Sequence, residues 1–277
     1  MSKQIDIQGH RGARGLYPEN TLRGFTEAVK LGVNTLELDI VISADKQVVV
    51  SHEAWMNEDF CSLPDGTRVE NGKKYNLFQM TYAEIKMFDC GKRGNPEFPN
   101  QEAIPSYKPL LSEVITTIEN YTRENNLAPI NYNIELKSEP EDNLFNPPAE
   151  IFVDLVTSEI KKYHLGHRIN IQSFDVRLLK EMRKKDPVMK IGLLVENKDS
   201  LGTNLSQLGF LPGTYSPEFV LVDTALVEEV HRFGMKIVPW TVNEKKDMEK
   251  FLSMGVDGII SDYPDRLIEL LKHNTIN

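Results

Sequence analysis

The sequence is poor in cysteine and in long apolar runs, and these two shortages limit the kind of protein that it can encode. Only two of the 277 residues are cysteines, Cys61 and Cys90. The two could pair, but we favour two free thiols in a reduced cytosolic protein. No apolar stretch approaches the ~18 residues that a membrane-spanning helix needs, so we predict no membrane span.

The N-terminal residues lead directly into a strand-like segment and contain no signal-peptide core. As it stands, the sequence predicts a cytoplasmic protein. A periplasmic or secreted location would follow if an export signal had been removed.

Basic residues are outnumbered, because 32 Lys and Arg stand against 41 Asp and Glu and give a formal net charge of -9. This balance argues against nucleic acid as a partner, since binding to a phosphate backbone needs a basic surface. It does not exclude a small anionic substrate, which one local cluster of positive charge can hold. The oligomeric state is not indicated.

Short apolar runs alternate with helix-length amphipathic stretches along most of the chain, which is typical of repeated βα units. We predict strands at residues 5–9, 35–40, 48–51, 132–136, 169–173, 190–195, 219–222, 236–240 and 258–261. Predicted helices include 21–31 (with Asn20 as a possible cap), 112–125, a segment around 153–160, 226–233 and 245–254. This pattern predicts an α/β fold of the TIM-type (β/α)8 barrel class, in which one of the nine strands is accessory.

Two segments depart from the alternation. Residues 41–47 are too short for a helix and must return as extended chain before the third strand. Residues 53–109 contain repeated turn signals, such as Pro64-Asp65-Gly66 and Asn71-Gly72. We therefore predict a single barrel domain over residues 1–277, with an insertion at about 53–109 that follows the third strand.

The end of the first predicted strand carries Gly9-His10-Arg11-Gly12. Histidine is suited to proton transfer near neutral pH, and the planar guanidinium of arginine is suited to gripping a phosphoryl group. Flanking glycines allow close approach of a ligand to the backbone. Taken alone, the tetrapeptide is explained at least as well by a solvated turn.

Carboxylates lie inside two predicted strands. Glu37 and Asp39 share one face of their strand, and such a pair repels unless a cation or a proton compensates. Glu135 and Lys137 share a face of another strand, where a structural ion pair is the simpler interpretation of that pair by itself. Together Glu37, Asp39 and Glu135 form an all-oxygen set of the kind that Mg²⁺ or Ca²⁺ prefers.

A second histidine, His52, closes the third predicted strand. Two histidines at strand ends around an anionic metal site suggest a general base and a general acid. The remaining histidines fall in helical or linker stretches and are interpreted as surface residues; they are His164, His167, His231 and His273.

In order along the chain, several short blocks resemble the glycerophosphodiester phosphodiesterase family. The blocks are His10-Arg11-Gly12, Pro18-Glu19-Asn20-Thr21, Glu37-Leu38-Asp39, Val49-Val50-Ser51-His52, Glu135-Leu136-Lys137, Gln172-Ser173-Phe174, Trp240-Thr241-Val242-Asn243 and Asp257-Gly258-Ile259-Ile260-Ser261-Asp262-Tyr263-Pro264. Each block is weak alone, but the ordered set is specific. One departure is His52-Glu53, where the family has His-Asp.

The resemblance implies that Glu37, Asp39 and Glu135 hold one divalent cation, Mg²⁺ or Ca²⁺, while Arg11 and Lys137 bind the phosphate. It implies a small glycerophosphodiester as substrate, with glycerol 3-phosphate and an alcohol such as choline or ethanolamine as products. The attacking oxygen would come from water or from the glycerol 2-hydroxyl, which would give a cyclic phosphate intermediate.

The same resemblance assigns the proton transfers to His10 and His52, and we favour His10 as base and His52 as acid. Phe174 and Trp240 are expected to form apolar walls of the substrate pocket, although Phe174 is equally well explained as a core residue.

Two other functions stay open. A lysophospholipase D-type enzyme would need an apolar mouth, which the insertion offers unless these side chains form its own core; they are Trp55, Met56, Phe60, Leu63, Leu77, Phe78 and Met80. A non-catalytic phosphodiester-binding protein would be expected to have lost a histidine or a metal carboxylate, and none of them is missing here.

Overall fold

The structure is a computed structural model that describes residues 5–139 and 144–274. Its single sheet contains β1 (Asp6–Gly9), β2 (Thr35–Ile42), β3 (Val48–Val50), β4 (Asn131–Leu136), β5 (Ile169–Ser173), β6 (Lys190–Val195), β7 (Thr214–Pro217), β8 (Lys236–Ile237) and β9 (Gly258–Ser261). Its helices are α1 (Leu22–Leu31), α2 (Tyr82–Ile85), α3 (Leu111–Glu124), α4 (Ala149–Lys161), α5 (Val176–Lys185), α6 (Leu201–Leu208), α7 (Thr224–Arg232), α8 (Lys245–Met254) and α9 (Pro264–Asn274). Within the described residues, no helix is long and apolar enough to cross a bilayer.

Eight parallel strands form a nearly closed barrel in the order β8-β7-β6-β5-β4-β2-β1-β9. Backbone hydrogen bonds between the β8 and β9 regions close it, among them Asp257 N to Ile237 O at 2.9 Å and Val242 N to Ile260 O at 3.0 Å. Pro239 lies in this seam and has no N–H to donate, which accounts for the short β8. The predicted α/β barrel is therefore observed.

The accessory ninth strand is β3. It pairs antiparallel with the end of β2, with Ile40 opposite Val50 and Ile42 opposite Val48. Because the β2–β3 hairpin extends beyond the barrel and returns, Ser51 N donates to Asp39 O at 3.0 Å. The next residue, His52, is thus brought back to the level of Glu37 and Asp39 on β2.

Two sequence predictions need correction in detail. The sixth barrel strand, β7, is Thr214–Pro217, and the more apolar predicted strand at 219–222 begins as a 3₁₀ turn over Phe219–Leu221. The ladder to β6 selects the less apolar segment, because Tyr215 pairs with Leu193 and is buried there. The cap of α1 is Thr21, whose Oγ1 accepts from Gly24 N at 3.0 Å, because the Asn20 side chain is engaged elsewhere.

The segment from residue 53 to 109, called the insertion from here on, has its own apolar cluster. Met56 and Leu77 are fully buried in it, and Val41 and Val49 of the β2–β3 hairpin join it. Cys61 and Cys90 form a disulfide within this cluster. The expectation of two free thiols is therefore wrong, because the fold of the insertion brings together two cysteines that are 29 residues apart.

Candidate active site

Three buried carboxylates converge inside the barrel. Glu37 and Asp39 project from β2, and Glu135 stands opposite Asp39 on the neighbouring strand β4. One oxygen of each carboxylate lies within 4.8 Å of the others, a spacing that allows all three to hold one metal ion. The alternation of side chains along two paired parallel strands produces this group.

The electrostatics of the three carboxylates fit a cation. Burial raises the pKa of Glu37, and the charges of Asp39 and Glu135 raise it further. Burial acts in the same direction on Asp39, but the positive charge of Arg11, together with His52, Lys137 and the hydrogen bond from Asn20, outweighs it and lowers the pKa of Asp39 well below its usual range. Asp39 Oδ1 is buried without a hydrogen-bond partner, as expected of an oxygen that is a potential metal ligand.

Arg11 lies beside these carboxylates with a positive backbone φ of 50°. Its backbone N–H donates to Glu37 Oε2 at 3.0 Å, and its guanidinium contacts Glu19 Oε1 at 2.9 Å and Asp39 Oδ2 at 3.3 Å. Asn20 Nδ2 donates to the same Asp39 oxygen at 2.9 Å. The loop after β1 thus holds both carboxylates of β2.

His10 is buried and its ring is held by a carboxylate from the other end of the chain. Its Nδ1 lies 2.6 Å from Asp262 Oδ1, and its Nε2 lies 4.0 Å from Glu37 Oε2. Asp262 is itself bound by Arg14 Nε at 2.8 Å and by Asn243 Nδ2 at 2.7 Å. Burial lowers the pKa of His10 to about 4, against the opposing charge of Asp262. Because Asp262 holds Nδ1, the other ring nitrogen, Nε2, faces Glu37.

His52 stands on the more open side of the site. Its Nδ1 lies 2.9 Å from Glu53 Oε1, and its Nε2 lies 3.2 Å from Lys137 Nζ. Lys137 Nζ also contacts Glu135 Oε1 at 2.8 Å. The side chain of Glu53 is long enough to reach the ring of the histidine next to it. Each histidine thus has a carboxylate on Nδ1.

A cavity of about 140 Å³ opens between the two histidines; it is lined by His10, Arg11, Arg14, Glu37, His52, Glu135, Lys137, Gln172, Phe174, Leu194, Trp240, Thr241 and Ile260. The rings of Phe174 and Trp240 pack edge to face with centroids 5.4 Å apart. Phe174 is 36% exposed, so it is a wall of the cavity rather than a core residue.

The structure brings all of the side chains named from the sequence to this one end of the barrel, and Asp39 is the only one that does not line the cavity. The four other histidines are exposed. Sequence reasoning assigned no role in the site to Glu19, Asn20, Gln172, Asn243 or Asp262. All of these lie in the blocks that carried the family resemblance, and that position was the signal available for them.

Arg14 was also missed, because it lies outside those blocks. It contacts Asp262 and lines the cavity, so it adds a third basic side chain to the site.

Comparison with known sequences gives a match over nearly the whole chain. A sequence model of the glycerophosphoryl diester phosphodiesterase family matches residues 10–266. A glycerophosphodiester phosphodiesterase of Caldanaerobacter subterraneus subsp. tengcongensis is 31% identical over 266 residues, which are 96% of this chain and 97% of the relative.

Solved structures agree with this match. A Silicibacter pomeroyi protein, described as a candidate glycerophosphoryl diester phosphodiesterase, is similar with a TM-score of 0.89 at 30% identity, over 99% of this chain and 95% of that one. An Oleispira antarctica phosphodiesterase, solved in complex with the product sn-glycerol-3-phosphate, has a TM-score of 0.77 at 22% identity over 96% of each chain. The second match shows the fold alone, and the barrel prediction is confirmed.

Proposed function

The chain belongs to the glycerophosphoryl diester phosphodiesterase family and is a glycerophosphodiester phosphodiesterase, and we propose that it cleaves small glycerophosphodiesters with one divalent cation and two histidines. The proposed substrates are small diesters such as glycerophosphocholine and glycerophosphoethanolamine, and the products are glycerol 3-phosphate and the free alcohol. A related phosphodiesterase was solved in complex with its product sn-glycerol-3-phosphate, which supports glycerol 3-phosphate as the product here.

The observation that carries the proposal is the position of two carboxylate-bound histidines beside three buried carboxylates. His10 is held by Asp262 and His52 by Glu53, and both line the same cavity. A histidine held through Nδ1 presents Nε2 in a fixed direction, which proton transfer requires. The carboxylates supply oxygen ligands only, the donor set that Mg²⁺ and Ca²⁺ prefer.

In this mechanism Glu37, Asp39 and Glu135 would hold the cation, which would supply positive charge next to the phosphodiester when bound. Lys137 and Arg11 add positive charge beside the phosphodiester. Gln172, Arg11 N and Asn20 already hold oxygens of Glu37 and Asp39, so these ligands need little reorganisation.

His10 acts as the base and His52 as the acid. His10 is the more buried of the two, and its Nε2 faces the carboxylates, where it takes the proton of the attacking hydroxyl of water or of glycerol. The side chain of His52 is 30% exposed on the side where the departing alcohol reaches solvent. His52 gives its proton to that alcohol oxygen as the phosphorus–oxygen bond breaks.

The lipid-directed alternative is less well supported. Met56, Phe60 and Leu77 are buried in the core of the insertion and do not line the cavity. A cavity of about 140 Å³ is also well below the ~300 Å³ at which typical pockets for larger ligands begin, so it fits a small polar group better than an acyl chain. A purely binding role has no support, because every predicted catalytic group lies in the site.

Removal of divalent cations tests the metal. Dialysis against chelator is expected to abolish release of glycerol 3-phosphate from glycerophosphocholine, and Mg²⁺ or Ca²⁺ is expected to restore it. An assay of lysophosphatidylcholine hydrolysis in parallel tests the lipid-directed alternative. Full activity in chelator, with metal loss verified by elemental analysis, would contradict the metal assignment.

Leaving-group chemistry tests the two histidines. His52→Ala is expected to lower activity about 100-fold or more on glycerophosphocholine but much less on a p-nitrophenyl diester, whose phenolate departs without a proton. His10→Ala is expected to lower both activities alike. Reversal of the two patterns would exchange the roles of the histidines.

A further inference from the structure

The barrel interior beneath the carboxylates contains a chain of hydrogen-bonded amide side chains, which we call the amide chain: the buried Gln172, Asn133 and Gln8, and the partly buried Asn170. Barrel interiors of this class are usually filled by branched apolar side chains. Gln172, Asn133 and Gln8 are 2%, 3% and 5% exposed, so their hydrogen bonds must be made within the protein.

The carboxylates at its two ends fix the direction of the amide chain. Gln172 Nε2 donates to Glu37 Oε1 at 3.1 Å, and Gln8 Nε2 donates to Asp6 Oδ2 at 2.8 Å. A carboxylate only accepts, so both glutamines must turn their N–H groups outward and their carbonyl oxygens toward each other.

Asn133 satisfies both inward-facing oxygens. Its Nδ2 donates to Gln8 Oε1 at 2.7 Å and to Gln172 Oε1 at 2.9 Å. Its own oxygen accepts from Asn170 Nδ2 at 2.7 Å, which keeps its amide in this orientation. If Gln172 were reversed, two oxygens would face each other at Glu37 and two N–H groups would face each other at Asn133.

We propose that Gln172 and Asn133 are positioning residues for Glu37, holding its carboxylate in place for the cation. Gln172 holds Oε1 from below while Arg11 N holds Oε2 at 3.0 Å, so both oxygens of Glu37 are fixed. Outer hydrogen bonds of this kind typically change metal affinity 10- to 100-fold. The proposal rests on the proposed function, since it takes Glu37 as a ligand.

The chain offers a matched pair of variants. Gln172 and Gln8 are both buried, and each makes two side-chain hydrogen bonds, one of them to Asn133. Gln172→Met removes the contact to Glu37, whereas Gln8→Met removes an equal number of hydrogen bonds at the opposite end of the amide chain. Both substitutions keep a long unbranched side chain.

Calorimetric titration of the cation-free proteins with Mg²⁺ and with Ca²⁺ measures the effect without substrate. Gln172→Met is expected to raise the Kd about 10-fold or more, and Gln8→Met to leave it within about 2-fold of the wild type. Melting temperatures in chelator are expected to fall alike in the two variants. Saturating cation is expected to restore most of the activity of Gln172→Met.

Asn133→Leu gives a second reading if Gln172→Met does not fold. It leaves Gln172 in place but removes the donor that orients it, and the Kd is expected to rise in the same direction.

Two results would overturn the inference, and they differ. If the wild type binds cation and the Gln172→Met and Gln8→Met variants change the Kd equally, the positioning role is wrong while the proposed function stands. If the wild type binds neither cation, the metal assignment fails first and this inference fails with it.

Discussion

The end of the barrel that carries Glu37, Asp39 and Glu135, called the rim from here on, and the insertion both bury side chains, but of opposite kinds. At the rim, Glu37 and Asp39 are each only 1% exposed, whereas in the insertion the fully buried side chains include Met56 and Leu77. Burial of charge opposes folding unless the charge is compensated, and burial of apolar surface favours folding. The buried charges of the rim therefore lower the stability of the fold where they form the site, while the apolar cluster of the insertion raises it.

A neutral substitution at the rim should give the largest effect on activity. Glu37→Gln is expected to lower kcat/KM at least ~100-fold, because a proposed metal ligand is lost. In chelator it is expected to raise the melting temperature by about 2–4 °C, because relief of the repulsion from Asp39 and Glu135 outweighs the loss of one of the two hydrogen bonds that Glu37 accepts.

The matched control for that substitution is Glu70→Gln at an exposed position of the insertion, which should change neither quantity. Activity assays and thermal unfolding in chelator measure both. A melting temperature that falls in Glu37→Gln would show that the rim stabilises the fold, and the comparison would fail.

Loss of the disulfide should affect the insertion alone. It closes a loop with a sequence separation of 29, so its removal in a Cys61→Ala, Cys90→Ala double variant is expected to lower the free energy of unfolding by roughly 3 kcal/mol. At a temperature where the variant is folded, kcat/KM is expected to stay within about 2-fold of the wild type.

Urea titration and activity measure the two effects of that double variant separately. A large loss of activity in folded protein would mean that the insertion controls the chemistry.

The smallest effects should come from two helix caps with the same residue. Thr81→Ala in the insertion removes the capping box of α2, and Thr21→Ala removes the cap of α1. Each is expected to lower the free energy of unfolding by about 1 kcal/mol.

Only the barrel cap should also affect catalysis, by roughly tenfold in kcat/KM, since Thr21 follows the Asn20 that binds Asp39. Urea unfolding and initial rates on both variants check this. Equal rates in the two would remove the functional distinction between the regions.

Much of the barrel follows from local pattern. The alternation in β2 and β4 places Glu37, Asp39 and Glu135 on inward faces, and eight of the nine predicted strands lie at or near the observed ones. The exception, at 219–222, shows where pattern fails. Ladder pairing with β6 chose Thr214–Pro217, although its neighbour is more apolar.

His52 shows a correct residue reached by a different route. Its sequence position suggested the end of a parallel barrel strand, but β3 runs antiparallel and the hairpin returns the chain to the level of Asp39. Residue type and order were enough to name His52 as a candidate site residue, whereas the route by which the chain brings it to the site depended on strand direction.

The sequence by itself determined the alternation of strands and helices, the inward-facing carboxylates and the two histidines, because these depend on spacings of a few residues. Only the tertiary structure decided that Cys61 meets Cys90, that Asp262 holds His10 across 252 positions, and that Asn133 orients Gln172 beneath Glu37. These contacts join distant segments, and closing the barrel and folding the insertion bring them together. Local periodicity carries no information about such closure.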